Sequence, residues 1–430
     1  MSAAKPFSGD LFATALVTGS RMGGAALSFA LATLLSAMLG AGDAGIFYAS
    51  LSWGTALAII ALWGAPQLVL HEVPPLLGAR NGLPVGHVLL RLLIGNIRTF
   101  AVLALVLALF ASIFSSAALR STLALDIRFA LATGLLLIVL RSASEGAKAL
   151  GYPLAATLVE FVLVPGLALA ALTILGWAAE ARFPGIATIY TGAMLLAACA
   201  GSAYLLKRLR PHDRGVAAGP LPQQWSARRR TFAQIEIGQF LSSVGAIAFV
   251  PLVLGNADVG VLNLVLRIAA LVSIVTAALP SVYLPRLARA QAGGDIAKFS
   301  RTLASLRMVM GLSGIAAFLA IVLAGPFILR FAGPEFLAGA PALPWAAAGF
   351  CAALALGPAG MQLTLLGRER ALRNIVLPIG VAGIGATLLA GWLGGPVATA
   401  AMPGAAALAA KIVQLVVLRQ AHSGQGERFP

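Results

Sequence analysis

Apolar runs of membrane-spanning length alternate with short polar breaks along the whole chain. They lie near 11–39, 45–70, 99–118, 127–147, 154–177, 185–206, 232–254, 259–284, 308–330, 340–366, 371–393 and 396–419. A helix needs about 20 apolar residues to cross the hydrocarbon core of a bilayer, which is about 30 Å thick. Because a spanning helix satisfies its own backbone hydrogen bonds, the pattern predicts an all-α integral membrane protein with about twelve transmembrane helices.

The amino-acid composition agrees with this pattern. Hydrophobic residues make up 60% of the 430 residues and charged residues only 10%. Soluble domains carry about 25% charged residues, so this chain has too few polar side chains to cover a surface that faces water. No segment between the apolar runs is long enough for a separate catalytic domain, and we expect that the protein is not an enzyme.

The basic residues in the loops are strongly biased to one side of the membrane. The chain carries 30 Lys and Arg against 14 Asp and Glu, a net charge of +16. Between the predicted spans, one set of loops holds only Arg120, Arg128, Arg182 and Arg330, and nearly all the other loop cations fall on the opposite side. The positive-inside rule places that side in the cytoplasm. We therefore expect a multi-pass protein of the bacterial inner membrane with cytoplasmic N- and C-termini, anionic lipids near its basic loops, and no nucleic-acid partner.

A short motif occurs twice, half a chain length apart. Leu39–Gly45 (LGAGDAG) returns as Leu254–Gly260 (LGNADVG), and we call the separation between the two copies the repeat offset. The first copy also matches a dinucleotide-binding GxGxxG pattern, but no strand precedes it, so the motif predicts a tight turn with an Asp N-cap for the next helix. The repeat predicts two pseudo-symmetric six-helix lobes around a central cavity, at 1–206 and 232–420, joined by a basic linker at 207–231 and followed by a cytoplasmic tail at 421–430.

Three cations lie inside predicted spans, where an unpaired charge facing lipid costs several kcal/mol. Arg21 and Arg267 should therefore face protein or water, and a guanidinium in the cavity would suit a pyrophosphate. The alternative is a static ion pair, for which Glu236 is the candidate partner of Arg21, since it is the equivalent of Arg21 at the repeat offset. Lys411 either reaches the cavity or extends toward the interface. Arg21, Arg267 and Lys411 are the candidate substrate-binding site.

Two carboxylates also lie deep in predicted spans. Glu160 and Glu236 are candidate sites for coupling transport to a proton or a sodium ion, with structural hydrogen bonding as the alternative for each. Cys199 and Cys351 each sit alone in an apolar run, and the four histidines form no cluster. We expect no disulfide framework, no metal site and no cofactor.

These residues together resemble the polysaccharide and lipid-linked oligosaccharide flippase branch of the multidrug/oligosaccharidyl-lipid/polysaccharide exporter (MOP) superfamily. The resemblance rests on the two motif copies and on the stretch from Arg267 through Pro280 to Pro285. It implies two six-helix lobes in a V and alternating access for an undecaprenyl-pyrophosphate-linked sugar. Arg21 and Arg267 match cavity arginines of the lipid II flippases, but the second-span arginine of those proteins has no counterpart between Gly45 and Leu70, and their two extra C-terminal helices are missing.

The resemblance implies a flippase for a lipid-linked oligosaccharide or polysaccharide precursor, such as one used in lipopolysaccharide biosynthesis. Its expected partners are the lipid-pyrophosphate-linked saccharide, the bilayer, Na⁺ or H⁺, and polysaccharide polymerase and export proteins. One alternative is a cation-coupled drug antiporter of the same superfamily, which would be expected to carry carboxylates in its cavity. Another is a membrane scaffold of a polysaccharide export complex that transports nothing.

Overall fold

A computed structural model of the chain describes residues 8–77, 84–113, 124–175, 183–209, 221–272, 279, 283, 287 and 295–423. Within these residues every regular element is helical and no strand occurs. The all-α membrane fold predicted from the hydropathy pattern is confirmed. The predicted tail and much of the predicted linker lie outside the described residues.

Thirteen α-helices are described, with π- and 3₁₀-helical segments between some of them. The helices of the first half of the chain are α1 Ser8–Leu62, α2 Ala65–Leu77, α3 Val85–Ile113, α4 Ile127–Ala149, α5 Pro153–Thr157, α6 Val164–Leu175 and α7 Phe183–Leu209, with a π-helical segment at Leu158–Leu163. Those of the second half are α8 Gln224–Leu241, α9 Asn256–Ala270, α10 Ile296–Ala332, α11 Leu343–Ala355, α12 Ala359–Leu365 and α13 Glu369–Ser423. The 3₁₀ segments are Val244–Ala248, Val250–Leu252 and Pro334–Ala342.

Two of these helices are each long enough to cross a bilayer twice. Eight described stretches are long and apolar enough to span a membrane, and those in α1 and α13 contain 47 and 52 residues. At about 1.5 Å per residue each exceeds about 70 Å, more than twice the hydrocarbon thickness. Both bend at a glycine with positive φ, Gly40 (φ 69°) in α1 and Gly395 (φ 67°) in α13. The two bends fall where the sequence predicts the loops after the first and eleventh spans.

Some boundaries differ from the predicted spans. Helix α3 begins at Val85 and α10 at Ile296, both more than ten residues before the apolar run. Hydropathy marks only the immersed part of a helix, so polar turns that extend beyond it escape the pattern. The predicted seventh span is broken: α8 ends at Leu241, Ser243 leaves helical geometry (φ −122°, ψ −105°), and short 3₁₀ turns follow.

Large apolar side chains cover the outer surface of the bundle. Leu323 is 78% exposed, Ile174 74% and Trp392 74%. Such an apolar surface would be unfavourable in water and suits a bilayer. The buried core instead gathers around α1, whose Phe47 and Tyr48 are fully enclosed beside residues of α4, α7 and α9.

The two motif copies contact each other reciprocally. A Cβ atom added to Gly45 would overlap the carbonyl oxygen of Asn256, and one added to Gly260 would overlap the carbonyl oxygen of Ala41. Asn256 and Gly260 are the equivalents of Ala41 and Gly45 at the repeat offset, so each copy presents the same positions to the other. The motif is thus a site of close backbone approach between α1 and α9.

The predicted Asp N-cap in this motif is wrong. The N-cap of α9 is Gly255, without a side-chain hydrogen bond, and Asp258 lies in the first turn. In the first copy the chain remains helical on both sides of Gly40, and the Ala41 N–H donates to Glu335 Oε1 at 2.7 Å. This backbone donor is therefore satisfied by the second half of the chain and not by a local Asp.

Candidate functional site

Arg267 is held in a fixed orientation by two side chains. It lies near the C-terminal end of α9, where its Nε donates to Asn263 Oδ1 one turn earlier, at 2.8 Å. Its Cζ atom lies 4.6 Å from the centre of the Tyr48 ring, a cation–π distance. The Tyr48 hydroxyl donates to the Ala32 carbonyl at 2.9 Å, which fixes the ring in turn. Within the described part of the chain, no hydrogen bond or ion pair occupies the two terminal nitrogens of this guanidinium.

A cavity of about 170 Å³ adjoins this guanidinium. Its walls come from α1, α4, the π segment, α6 and α7, and among the described residues of the second half Arg267 lines it. The polar lining includes Ser28, Tyr48, Glu160 and Tyr190. A space of this size can hold several waters or one phosphate-sized group. The cavity therefore lies among the helices of the first half, with an arginine of the second half inserted into it.

The two side chains that orient Arg267 were missed by the sequence analysis, although two signals pointed to them. Asn263 precedes Arg267 by four residues, so both lie on one helix face. Asn263 is also the equivalent of Tyr48 at the repeat offset that relates the two motif copies. The repeat therefore places one partner of Arg267 on each half of the chain.

Arg21 is not brought to the same cavity. It lies on α1 seven residues before the first lining residue, Ser28, about 10 Å along the helix. Its Cζ lies 5.8 Å from the ring centre of Phe161, and its Nε is buried without a hydrogen-bond partner. Gly24, one turn further along α1, packs directly on the Phe161 backbone, where a Cβ atom would clash. Arg21 thus lies against the π segment, nearer the predicted cytoplasmic end.

Glu160 lines the cavity but is already paired. Its Oε2 accepts hydrogen bonds from Lys148 Nζ at 2.7 Å and from Ser144 Oγ at 2.8 Å. Lys148 also binds Glu145 Oε1 at 2.9 Å. The π-helical geometry at Leu158–Leu163 adds a residue to the turn that carries Glu160, a feature often found at functional sites. The carboxylate is hydrogen-bonded in this conformation, and both of its predicted roles, ion coupling and structural hydrogen bonding, stay predictions.

Glu236 and Lys411 lie apart from the cavity. Glu236 Oε2 is buried without a hydrogen-bond partner, and the charged groups that act on this carboxylate are Arg141 and Glu145 of α4. Arg21 and Glu236 form no ion pair in this conformation, so the predicted latch between them stays a prediction for another state. Lys411 is partly buried in the second arm of α13, and the described residues give it no ion pair or hydrogen bond.

Comparison with known proteins places this geometry in a known fold. No protein-family model matches the chain, and no curated protein matches its sequence. Among solved structures, the chain resembles a MATE transporter in complex with MaD5 (TM-score 0.63, 17% identity, covering 96% of each chain). It also resembles an inward-facing multidrug resistance MATE family transporter of the MOP superfamily (TM-score 0.62, 16% identity, covering 92% of this chain and 94% of that one). The lipid II flippase MurJ, in an inward closed conformation, matches with a TM-score of 0.58 and 13% identity over 91% of this chain and 87% of that one.

The chain shares the fold of these MATE transporters and of MurJ. Because the matches cover nearly all of both chains, the whole helical arrangement is shared and not one part of it. These neighbours are themselves described as transporters and as a lipid flippase. At identities of 12–17% the resemblance concerns the fold alone, and the substrate has to be argued from the chain's own residues.

Proposed function

We propose that this protein is a flippase that moves a lipid-linked oligosaccharide or polysaccharide precursor across the bacterial inner membrane by alternating access. The single observation that supports this most is the Arg267 guanidinium. One nitrogen and one face of it are engaged by Asn263 and Tyr48, while its terminal nitrogens have no described partner beside a cavity. The two terminal nitrogens of a planar guanidinium can donate to two oxygens of a phosphate or pyrophosphate at once.

The charge balance of the cavity favours an anionic ligand. Glu160, the carboxylate in its lining, is already engaged by Lys148 and Ser144, whereas Arg267 has no counter-ion among the described residues. A drug antiporter for organic cations would use a carboxylate that is free to meet the cation, and here that carboxylate is engaged. The drug antiporter therefore remains the second candidate, supported by the fold it shares with MATE transporters.

The remaining roles belong to the same proposal. The two lobes, at 1–206 and 232–420, rock against each other, with the contact between the motif copies as the pivot while the cytoplasmic side opens, and Arg21 and Lys411 contribute positive charge along the route of the headgroup. Glu160 and Glu236 are the candidate sites for coupling to H⁺ or Na⁺. The N- and C-termini face the cytoplasm, and polysaccharide polymerase and export proteins are the expected partners of a flippase that serves lipopolysaccharide or another surface polymer.

Binding of undecaprenyl pyrophosphate to the purified protein in lipid nanodiscs tests the proposal. We expect Arg267→Ala to weaken binding about tenfold or more, because it removes charge-assisted hydrogen bonds worth about 1.5–3 kcal/mol. Arg267→Lys keeps the charge but loses the fork, and should bind with intermediate affinity. The control is Arg330→Ala, which removes an exposed cation from the same half.

Two results would contradict the proposal. If Arg267→Ala binds the lipid as the unmodified protein does, the cavity is not the headgroup site. If the variant loses binding but cells still export the polymer normally, binding at Arg267 is not needed for transport and this residue leaves the proposed site.

A further inference from the structure

A basic segment at the start of α8 is docked against the first half of the chain. Arg228, Arg229 and Arg230 follow one another on this helix, and their sequence alone suggests a topology signal next to anionic lipid. In the structure two of the three make specific contacts. We use the name basic clasp for Arg228 and Arg229 together with their partners Glu72, Asn96, Glu369 and the carbonyl groups of Leu62 and Trp63.

Arg228 bridges the two halves. Its Nη1 donates to Glu72 Oε1 of α2 at 2.5 Å, and its Nη2 lies 3.6 Å from Glu369 Oε1 in the first turn of α13. Its Cζ also lies 5.6 Å from the ring centre of Phe232, one turn further along α8. That ring stacks on His71 of α2, with the ring centres 5.2 Å apart and the planes inclined by 9°. Arg228 and the Phe232 ring thus both contact α2, through Glu72 and His71.

Arg229 caps the C-terminal end of α1. Its Nη2 donates to the Leu62 carbonyl and its Nε to the Trp63 carbonyl, both at 3.1 Å. The same Nη2 also donates to Asn96 Oδ1 of α3 at 2.6 Å. A helix leaves its last carbonyl groups unpaired, and a cation at that end also interacts favourably with the helix dipole. Partial burial lowers the pKa of the Arg229 guanidinium, because the charged form is removed from water.

The local backbone is shaped to receive these arginines. Helix α1 stops at Leu62 because Trp63 (φ 46°) and Gly64 (φ 74°) both adopt left-handed geometry, which ends the helix and exposes its last carbonyl groups. A Cβ atom at Gly64 would overlap the Arg229 carbonyl oxygen and crowd the backbone of Ala233. The α8 backbone therefore lies directly on the turn between α1 and α2.

We propose that the basic clasp is the closing contact of the predicted cytoplasmic entrance, and that it must open before a ligand can reach the Arg267 cavity from that side. It joins the C-terminal end of α1 and interior turns of α2 and α3 in the first half to the starts of α8 and α13 in the second half. It rests on the alternating access proposed above but not on the identity of the substrate. Arg228 and Arg229 are thus gating residues, and Arg230 is not.

A distance measurement across the entrance tests the clasp. Spin labels are attached to Leu77→Cys on α2 and Ala227→Cys on α8, two exposed positions, in full-length protein with Cys199→Ser and Cys351→Ala, and distances are measured by electron paramagnetic resonance in nanodiscs. We expect one dominant short distance in the parent protein. Arg228→Ala combined with Arg229→Ala should raise the population of longer distances about tenfold, since several charge-assisted hydrogen bonds are lost.

Arg230→Ala is the matched control, because it removes the same charge from the next residue of the same helix. The Arg230 side chain is exposed. We expect it to leave the distances unchanged. A charge reversal provides a rescue: Arg228→Glu should open the entrance, and adding Glu72→Arg should restore the short distance, which also shows that the reversed protein is folded.

The proposal is overturned if the double alanine variant keeps the parent distances, or if Arg230→Ala opens the entrance to the same extent. It is also overturned if Glu72→Arg fails to restore the short distance. Binding of undecaprenyl pyrophosphate, measured in the same variants, separates the two proposals. If the clasp proposal fails, the lipid should still bind at Arg267. If the parent protein does not bind the lipid, the spin-label distances across the clasp should be unaffected.

Discussion

The two ends of the molecule hold the halves of the chain together by different means. We call the end that contains Gly40, Gly255 and Glu335 the outer end, following the predicted orientation, and the end that contains the basic clasp the inner end. At the outer end, Gly45 and Gly260 bring two backbones into direct contact. At the inner end, arginine side chains reach across to carboxylates and carbonyl groups.

This difference affects how each contact can open. The outer contact depends on the absence of side chains, so its close fit is lost once the backbones move apart. The inner contact is made by long side chains, and the Arg228 side chain is 41% exposed. Water and ions can replace its partners as it opens. We therefore infer that the outer contact acts as the tighter pivot and the inner contact as the more easily opened gate.

The largest effect is expected from a side chain added to the pivot. Gly45→Val places a branched side chain against the Asn256 carbonyl and the Gly260 backbone, which cannot move without separating α1 from α9. We expect a loss of stability of about 3 kcal/mol or more, since overpacking into backbone costs at least as much as overpacking into side chains. Thermal unfolding of the detergent-solubilised protein and its yield in membranes measure this loss.

The matched control for this variant lies three residues earlier on the same helix. No heavy atom lies within 4 Å of the position that a Cβ atom would occupy at Gly42, so Gly42→Val meets open space. If both variants lose the same stability, the contact between the motif copies does not determine the effect, and the pivot is refuted.

The difference between the two ends also shows which contacts the sequence could predict and which it could not. Hydropathy located the spans, and the repeat placed the motif copies in equivalent positions. Neither could show that the copies contact each other, because close approach depends on the tertiary packing of α1 on α9. The residue spacing within α9 would have identified Asn263 as a partner of Arg267.

The contacts that join the halves were hidden for another reason. Arg228 and Glu72 are 156 residues apart, and Ala41 and Glu335 are 294 apart. No local pattern relates such positions, and the repeat offset does not connect them either. An arginine that caps a distant helix end looks, in sequence, like any other cation of a cytoplasmic loop.

An intermediate effect is expected at the turn that receives the clasp. Gly64→Ala introduces a Cβ at positive φ and against the Arg229 carbonyl. Gly367→Ala is a control of similar backbone geometry (φ 67°) with open space around the Cβ position. Both should lose about 1 kcal/mol from backbone strain, and Gly64→Ala should lose about 1–2 kcal/mol more from the displaced α8 backbone. Chemical unfolding measures the difference, and equal losses would show that α8 is not docked tightly on this turn.

Raising the salt concentration is expected to have the smallest effect. It distinguishes the two ends of the molecule without a substitution in the clasp. The Debye length falls from about 10 Å at 0.1 M to about 3 Å at 1 M ionic strength, which weakens partly exposed ion pairs such as Arg228 with Glu72. We expect the open population at the inner end to rise about two- to threefold over this range, measured with the spin-label pair at Leu77→Cys and Ala227→Cys. A second pair placed across the outer end should respond less, because backbone contact between glycines carries no charge to screen and Glu335 binds a neutral backbone N–H there. An equal response at both ends would mean that salt acts on the whole bundle, and the division into an uncharged pivot and a charged gate would be wrong.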